Sequence, residues 1–544
     1  MKHLLSRSIK TIEDAPITLT SFVIAFFALI ITRLLIENTL GLFQEHTFFF
    51  FFFEFTHTFL FFLCSFLLLI FLVRYAGAIN FQKAVSVLLF GFLIILTPPF
   101  IDNAIFHGSH FWSFYAFDGF FGLLHRFVTL FGNNPDMGIT YGVRVEVVIV
   151  TLALGFYTYI KSKRLKKALI VSLLAYTILF ILGTFPAWIT LGILSFQKSF
   201  LAISANDVAG LFLTPENIFA RSLTDFRSVL NVKMSIVYGI LALVLTGFIL
   251  WREYPKYFIA LWKNTRLPQL IYHGGLLFIG MALAFLFTDA PLRFDFFHIA
   301  GAIVLLIAVE STWIASVIGN DCFDKNIDTI TNKTRPLIEN TIPEHLYRTF
   351  GILFFITSLI FSGIMSFSAM LLLLGYQAVA WIYSAPPLRL KRFPLVATIL
   401  AAFAGILVLI AGFLAVSPNG NLSDFPLSLL FYLFTAYALC LPIKDFKDIA
   451  GDKRDSVFTV PVILGAKKAQ LLIGSLTFLL YVWSPLLLNA RILFIPALFF
   501  GSLAFWIIQK GTDKEDSFFA YRKLPGITIP ILVAYGLIIV FLLF

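Results

Sequence analysis

Long apolar runs alternate with short polar loops along almost the whole chain. Each run holds roughly 18–25 residues, enough for a helix to cross a hydrocarbon core of about 30 Å. Strands in that setting would leave backbone groups unpaired in lipid, so the runs are expected as helices. In the first half the pattern predicts spans at 17–36, 47–73, 84–101, 139–160, 168–186 and 234–251. In the second half it predicts 269–288, 296–319, 346–366, 367–384, 395–416, 425–443, 469–487, 492–509 and 526–544. The expected fold class is an all-α polytopic membrane protein of about 15 transmembrane helices. The segment "REYPKYFIALWKNTRLP" is basic, aromatic and marked by proline. It is expected as a cytoplasmic linker (252–268) between one membrane domain at 1–251 and another at 269–544.

Three stretches depart from this rhythm. Residues 113–131 are apolar but hold Asp118, His125 and Arg126. Counted as a span they would move the basic loop 161–167 to the wrong side, so an interfacial or re-entrant helix is expected there. Residues 187–232 are polar to mixed and are expected on the outer side. The six consecutive phenylalanines Phe48–Phe53 are expected to face lipid and to carry no site.

Composition agrees with the pattern. The chain is 60% hydrophobic and 13% charged, against about a quarter charged in soluble proteins. A formal charge of +11 would suggest nucleic acid in a soluble protein. Here the lysines and arginines crowd into loops on alternate sides, as the positive-inside rule requires, so no nucleic-acid partner is expected. This bias predicts a cytoplasmic N-terminus. The first apolar run is too long for a cleavable signal and no small-residue cleavage site follows, so it is expected to remain as a membrane helix. Cys64, Cys322 and Cys440 lie far apart without metal-ligand spacing, which argues against a disulfide framework or a zinc site.

Chemistry concentrates at two places. "GNDCFDKNID" carries Asp321, Asp324 and Asp328, and "KDFKDIAGDKRD" carries Asp445, Asp448 and Asp452. Both sets are spaced three and then four apart, which puts each set on one helical face. Both follow an apolar run that heads toward the expected cytoplasmic side. A lone loop aspartate ordinarily balances a nearby lysine. Two clusters of the same spacing at the same depth would instead repel, and some carboxyls would stay protonated. Mg²⁺ removes that conflict, because it takes oxygen ligands and is usually held by a few carboxylates together with substrate phosphates. The expected cofactor is therefore Mg²⁺, two ions, bridging a diphosphate. Lys333, Arg335, Arg389, Lys391, Lys444, Lys453 and Arg454 sit at the same level to neutralise phosphate charge.

These residues resemble a known family. "NDCFDKNID" is similar to the N-D-x-x-D-x-x-x-D motif of the UbiA superfamily of intramembrane prenyltransferases. "KDFKDIAGDKRD" resembles its second aspartate motif, and "YSAPPLRLKR" (383–392) its tyrosine- and proline-marked loop. The resemblance covers about 266–544, a nine-helix bundle with the motifs after its second and sixth spans. It implies Mg²⁺-dependent transfer of an isoprenyl group from a polyprenyl diphosphate to an acceptor inside the membrane, either an aromatic quinone precursor or a glycerol-phosphate-type lipid. It further implies that Asn320, Asp321, Asp324 and Asp328 hold one metal–diphosphate face and that Asp445, Asp448 and Asp452 hold the other. Arg335, Arg389 and Lys391 would grip phosphate oxygens. Tyr383 is either an aromatic face for an allylic cation or a structural hydroxyl at the interface, and Pro386 and Pro387 shape the loop. One departure is "RPLIENTIPEH" (335–345), where many relatives continue into a P-S-G turn. Two other readings stay open: phosphoribosyl or glycosyl transfer onto a polyprenyl phosphate, and a non-catalytic lipid-handling or transport protein.

No resemblance covers 1–251. Arg144 and Glu146 in "GITYGVRVEVVIV" are charges inside a span, and such charges are either functional or ion-paired between helices. His107 and His110 have H-x-x-H spacing, but surface histidines are the expected reading.

Overall fold

The computed structural model describes residues 2–41, 47–106, 119–132, 139–325, 328–329, 332–418, 420–454 and 458–543. It is helical throughout. In chain order the helices are α1 Lys2–Glu13, α2 Leu19–Leu40, α3 Phe48–Gly77, α4 Phe81–Gly91, α5 Pro98–Phe106, α6 Phe120–Val128, α7 Tyr141–Ser162, α8 Leu165–Gly183, α9 Phe185–Leu194 and α10 Ala205–Phe212. A two-stranded sheet follows, β1 Glu216–Ile218 with β2 Arg221–Leu223. Then come α11 Phe226–Glu253, α12 Pro255–Asn264, α13 Leu267–Phe287, α14 Phe296–Phe323, α15 Glu344–Met365, α16 Phe367–Ser384 and α17 Pro394–Val416. The last are α18 Leu427–Cys440, α19 Ile449–Arg454, α20 Val460–Leu464, α21 Ala466–Leu487, α22 Phe494–Gln509 and α23 Leu524–Leu543.

Among the described residues, 14 helical segments are long and apolar enough to cross a membrane. The expected fifteenth span forms α23, with a shorter apolar stretch, Leu524–Ile539. The chain is an all-α polytopic membrane protein. One expected span is not a single helix. Residues 84–101 fall into α4, a 3₁₀ turn Phe92–Leu96, and α5. Pro98 and Pro99 lack the N–H groups that would continue the ladder, so the helix restarts there. Within 113–131 the described part is the nine-residue α6, too short to cross, while Asp118 lies outside the described residues. The phenylalanine run does not face one way. Phe48 is 61% exposed and Phe53 only 7%, because successive helical residues point about 100° apart.

The chain sorts into two units, Met1–Ile218 with Ser222–Phe258, and Phe219–Arg221 with Ile259–Phe544. Residues 252–268 are largely helical: the end of α11, then α12, then the first turn of α13.

In the first unit α3 packs against α4, α7, α8 and α11. Phe26, Phe59, Phe66 and Phe92 form an aromatic cluster with centroids 5.1–5.7 Å apart. Glu146 is ion-paired across helices to Arg33 of α2 at 3.2 Å. Arg144 is satisfied by backbone carbonyls, Ile139 at 3.0 Å and Gly132. His107 and His110 lie outside the described residues.

In the second unit small residues let helices touch. A Cβ at Gly280 would sit 2.0 Å from the Leu409 carbonyl oxygen, and one at Gly412 would sit 2.2 Å from that of Leu277. The backbones of α13 and α17 are therefore in direct contact, as in small-residue packing between membrane helices. α14 packs along α15, where Thr312 and Ser358 share a hydrogen bond. α14 begins at Asp295, whose carboxylate accepts from the N–H groups of Phe297 (3.0 Å) and His298 (3.1 Å). That satisfies donors a helix start otherwise leaves unpaired. Its other end carries the first acidic motif.

Candidate active site

The last turn of α14 holds Asn320 and Asp321. Asp324 caps the helix, and its N–H donates to Asn320 O at 2.9 Å. The Asp328 N–H donates to Asp324 O, also at 2.9 Å. The three carboxylates are 1%, 8% and 3% exposed. Buried carboxylates need partners, and here the partners are mostly cations. Asp321 Oδ1 accepts from Arg266 (3.1 Å) and Arg335, and its Oδ2 from Asn264 (2.7 Å) and the Tyr347 hydroxyl (2.9 Å). Asp324 accepts from Arg389 (2.9 Å) and Lys391. Asn320 Oδ1 accepts from Ser384 (2.8 Å) and Lys391 (3.1 Å). Asp328 Oδ1 accepts from Asn332 at 2.9 Å and lies 4.0 Å from Arg335.

Two buried atoms are left over. Asp328 Oδ2 and Arg389 Nε have no hydrogen-bond partner among the described residues. Burial pushes the Asp328 carboxyl up to about 6. It also lowers the Lys391 ammonium from its usual value, against the pull of Asp324. Among the described residues the mouth thus keeps one acceptor and one donor without a partner, each costly to leave unpaired.

The arginines come from bends. Arg266 (φ +56°) and Arg389 (φ +41°) both adopt the left-handed conformation that favours glycine. Each sits just before a helical turn, α13 for Arg266 and the 3₁₀ turn Leu390–Arg392 for Arg389. Pro386–Pro387, in the loop leading to Arg389, is a cis bond.

The second acidic motif is built differently. α18 gives way to a 3₁₀ stretch, Leu441–Asp448, with Pro442 in its first turn, and then to α19. Residues three apart eclipse in a 3₁₀ helix, so Asp445 and Asp448 lie side by side. Asp445 is half-buried and Asp448 exposed. Lys444 lies within electrostatic reach of both, and of Tyr383 at the end of α16. The loop after Tyr383 carries Arg389 and Lys391, so a continuous run of residues leads from Asp324 to Lys444. No hydrogen bond or ion pair joins the two acidic sets directly among the described residues. The side chains of Asp452 and Arg454 lie outside the described residues. Lys333 is exposed and makes no ion pair with the aspartates among the described residues. No three carboxylate, histidine or cysteine side chains converge as a ready-made metal centre among the described residues.

Below the mouth lies an aromatic layer. His273 stacks on Trp313 at 4.7 Å, and Tyr272 stacks on Tyr437 at 5.4 Å. His273 Nδ1 faces the Gln269 carbonyl oxygen at 2.7 Å and must donate to it. Its Nε2 then accepts from the Tyr376 hydroxyl at 3.0 Å. Trp313 lies about two turns before Asp321, so the layer sits roughly 12 Å deeper in the bundle.

Sequence reasoning missed Asn264, Arg266, Tyr347 and Ser384. The "TRLP" start of α13 was a usable signal, since proline in a first helical turn marks the membrane entry point and places its polar predecessors at that level. Ser384 lies inside the "YSAPPLRLKR" stretch, next to Tyr383, whereas no pattern marks Tyr347.

The model of the "UbiA prenyltransferase family" matches residues 276–524, which include both acidic motifs. The chain is 28% identical over 191 residues to the digeranylgeranylglyceryl phosphate synthase of Methanothrix thermoacetophila, covering 35% of this chain and 68% of that protein. It is 27% identical over 153 residues to the synthase of Pyrococcus abyssi, covering 28% of this chain and 53% of that one. The chain therefore spans about half the length of the Pyrococcus relative. Among solved structures it is similar to a UbiA homolog from Archaeoglobus fulgidus bound to GPP and Mg²⁺, at 21% identity and a TM-score of 0.39, covering 51% of this chain and 98% of that one. By the family match, residues 276–524 of this chain are a domain of the UbiA prenyltransferase family.

Proposed function

We propose that the second unit transfers an isoprenyl group from a polyprenyl diphosphate to the hydroxyl of a glycerol-phosphate-type lipid, with Mg²⁺ as cofactor. The observation that carries this reading is the pair of orphaned buried atoms, Asp328 Oδ2 and Arg389 Nε. One fits a cation and the other an anion, and a metal-bound diphosphate supplies both. The named activity of the Methanothrix and Pyrococcus relatives favours the glycerol-phosphate lipid over an aromatic acceptor.

The residues divide the work. Asp321, Asp324 and Asp328, with Asp445, Asp448 and Asp452 of the second motif, would hold the metal. Before substrate arrives, Arg266, Arg335, Arg389 and Lys391 neutralise the first three aspartates. These cations then turn to the phosphate oxygens, where Arg offers bidentate geometry. That exchange frees the carboxylates for metal. Asn320, Lys444 and Tyr383 complete the rim, and Lys333 lies on the exposed approach. Bound Mg²⁺ supplies Lewis acidity toward the leaving oxygens.

The C1–O bond of the diphosphate breaks and its electron pair leaves with pyrophosphate. The acceptor oxygen forms a bond to C1, and its proton passes to the departing pyrophosphate. Tyr383 and the layer of Trp313, Tyr376 and Tyr437 exclude water and offer aromatic faces to the allylic cation. The isoprenyl tail lies among the apolar helices. The distribution of basic loops supports a cytoplasmic N-terminus with this mouth on the cytoplasmic side.

The test is direct. Purified protein given labelled geranylgeranyl diphosphate and a glycerol-phosphate ether lipid should yield the alkylated lipid by mass spectrometry. EDTA should stop the reaction and Mg²⁺ restore it. Turnover unchanged in chelator would overturn the metal assignment, and alkylation of an aromatic acceptor alone would overturn the lipid acceptor.

A further inference from the structure

The first unit holds a cavity of about 310 Å³ that the chemistry above does not use. One face of α3, from Glu54 to Leu69, and one face of α7, from Val143 to Tyr157 with the cap residue Thr140 before it, line it lengthwise. From Glu146 to Tyr157 this amounts to about 16 Å of helix. The polar residues gather at one end, away from the basic loop after α7. They come from the end of α2 (Arg33, Glu37), the start of α3 (Glu54, His57) and the start of α11 (Arg227, Asn231), with Glu146 on α7. Several are deeply buried: Arg33 and Asn231 are 6% exposed and Glu146 8%. Arg33 is fixed by the Ile95 carbonyl at 2.8 Å, by Glu37 at 3.0 Å, and by Glu146 at 3.2 Å. Asp102, Ser65 and Tyr157 add further polar groups to a wall that is otherwise mostly apolar, with Leu69, Leu88, Val150 and Leu154.

The cavity also reaches the apolar surface. Three lining residues, Gly91, Ile149 and Ala153, are exposed, and a Cβ built at Gly91 meets no atom within 4 Å. An occupant would therefore enter sideways from the lipid chains. The polar end sets its chemistry. Among the described residues, four carboxyl groups line the cavity (Glu37, Glu54, Asp102, Glu146) against two guanidinium groups (Arg33, Arg227). Carboxyl groups outnumber guanidinium groups among these residues, so a donor head is favoured over an anionic one.

We propose that the first unit binds a single-chain amphiphile whose head donates hydrogen bonds, an alcohol or an amine, with its apolar chain laid along α3 and α7. The proposal is independent of the chemistry assigned to the second unit. It is tested on the full chain in lipid nanodiscs with a diazirine-bearing geranylgeraniol, irradiated and mapped by peptide mass spectrometry. Label is expected within 54–69 and 143–157. Gly91→Phe, which fills the lateral opening, should reduce that label at least fivefold, whereas Gly91→Ala should leave it unchanged. If Gly91→Phe fails to fold, Ala153→Trp places a bulky side chain at the exposed α7 edge of the cavity instead. Unlabelled geranylgeraniol or geranylgeranylamine should compete, the stronger of the two showing whether the head is neutral or cationic, and geranylgeranyl monophosphate should not. Label confined to the second unit, label unmoved by both plugs, or equal competition by the monophosphate would each overturn the proposal.

Discussion

Asp321 shows how much a single side chain is asked to hold. It is 1% exposed and gathers two guanidinium groups, an amide and a phenol. Asp321→Ala removes the charge between Arg266 and Arg335, and breaking such a buried pair costs about 3–5 kcal/mol. Unfolding in detergent should show that loss, while Asp321→Asn keeps the shape, stays folded and loses turnover. An alanine variant of wild-type stability would contradict this account. Arg266 offers a second check. Its left-handed backbone costs a non-glycine residue about 1–3 kcal/mol, so Arg266→Gly should be more stable than Arg266→Ala by about 1 kcal/mol, read from the same unfolding curves. The aspartates were legible in the sequence because charge is rare in an apolar chain and their spacing repeats. Their partners were not. Tyr347 is one phenol among 18 tyrosines, and only the packing of α15 against α14 brings it to Asp321.

At the scale of elements, the long apolar runs were legible because lipid dictates both their length and their helical state. The exceptions have local causes. Pro98 and Pro99 divide one expected helix, and Pro442 opens the 3₁₀ turn that sets Asp445 beside Asp448. Helix contacts were not legible, because a glycine between two membrane helices looks like any other glycine in an apolar run. Gly412 and Gly275 separate the two kinds. A Cβ at Gly412 meets the Leu277 carbonyl at 2.2 Å, and one at Gly275 meets nothing. Gly412→Ala should therefore push α17 off α13 and lower the melting temperature by several degrees. Gly275→Ala should be neutral or stabilise by up to about 1 kcal/mol, since alanine is the better helix former. Equal melting curves for the two variants would show that the helices are not in backbone contact.

At the scale of the whole molecule, the chain carries two units, the first with a cavity and its own polar cluster and the second with the buried aspartates of α14. The sequence suggested two membrane domains from a basic seam, and said little of the first because its Arg33–Glu146 pair spans more than a hundred residues. A ligand that binds one folded unit stabilises it by mass action, about 2.7 kcal/mol at a hundredfold excess over Kd. Hydrogen exchange with Mg²⁺ and geranylgeranyl diphosphate should thus slow in 320–335, 383–392 and 441–454. Exchange in α3 and α7 should not change. Equal slowing in both units would assign the diphosphate a second site.

The two orphaned atoms at the mouth also bear on the order of events. A lone metal ion would satisfy Asp328 and leave Arg389 wanting, and a lone diphosphate would do the reverse. Each guest therefore prepares the place of the other, and thermodynamic reciprocity makes the benefit mutual. Titrating diphosphate with and without Mg²⁺, and Mg²⁺ with and without diphosphate, should give the same factor, tenfold or more, about 1.4 kcal/mol of cooperation. On the proposed function, such a mouth holds each guest more weakly alone than in the company of the other.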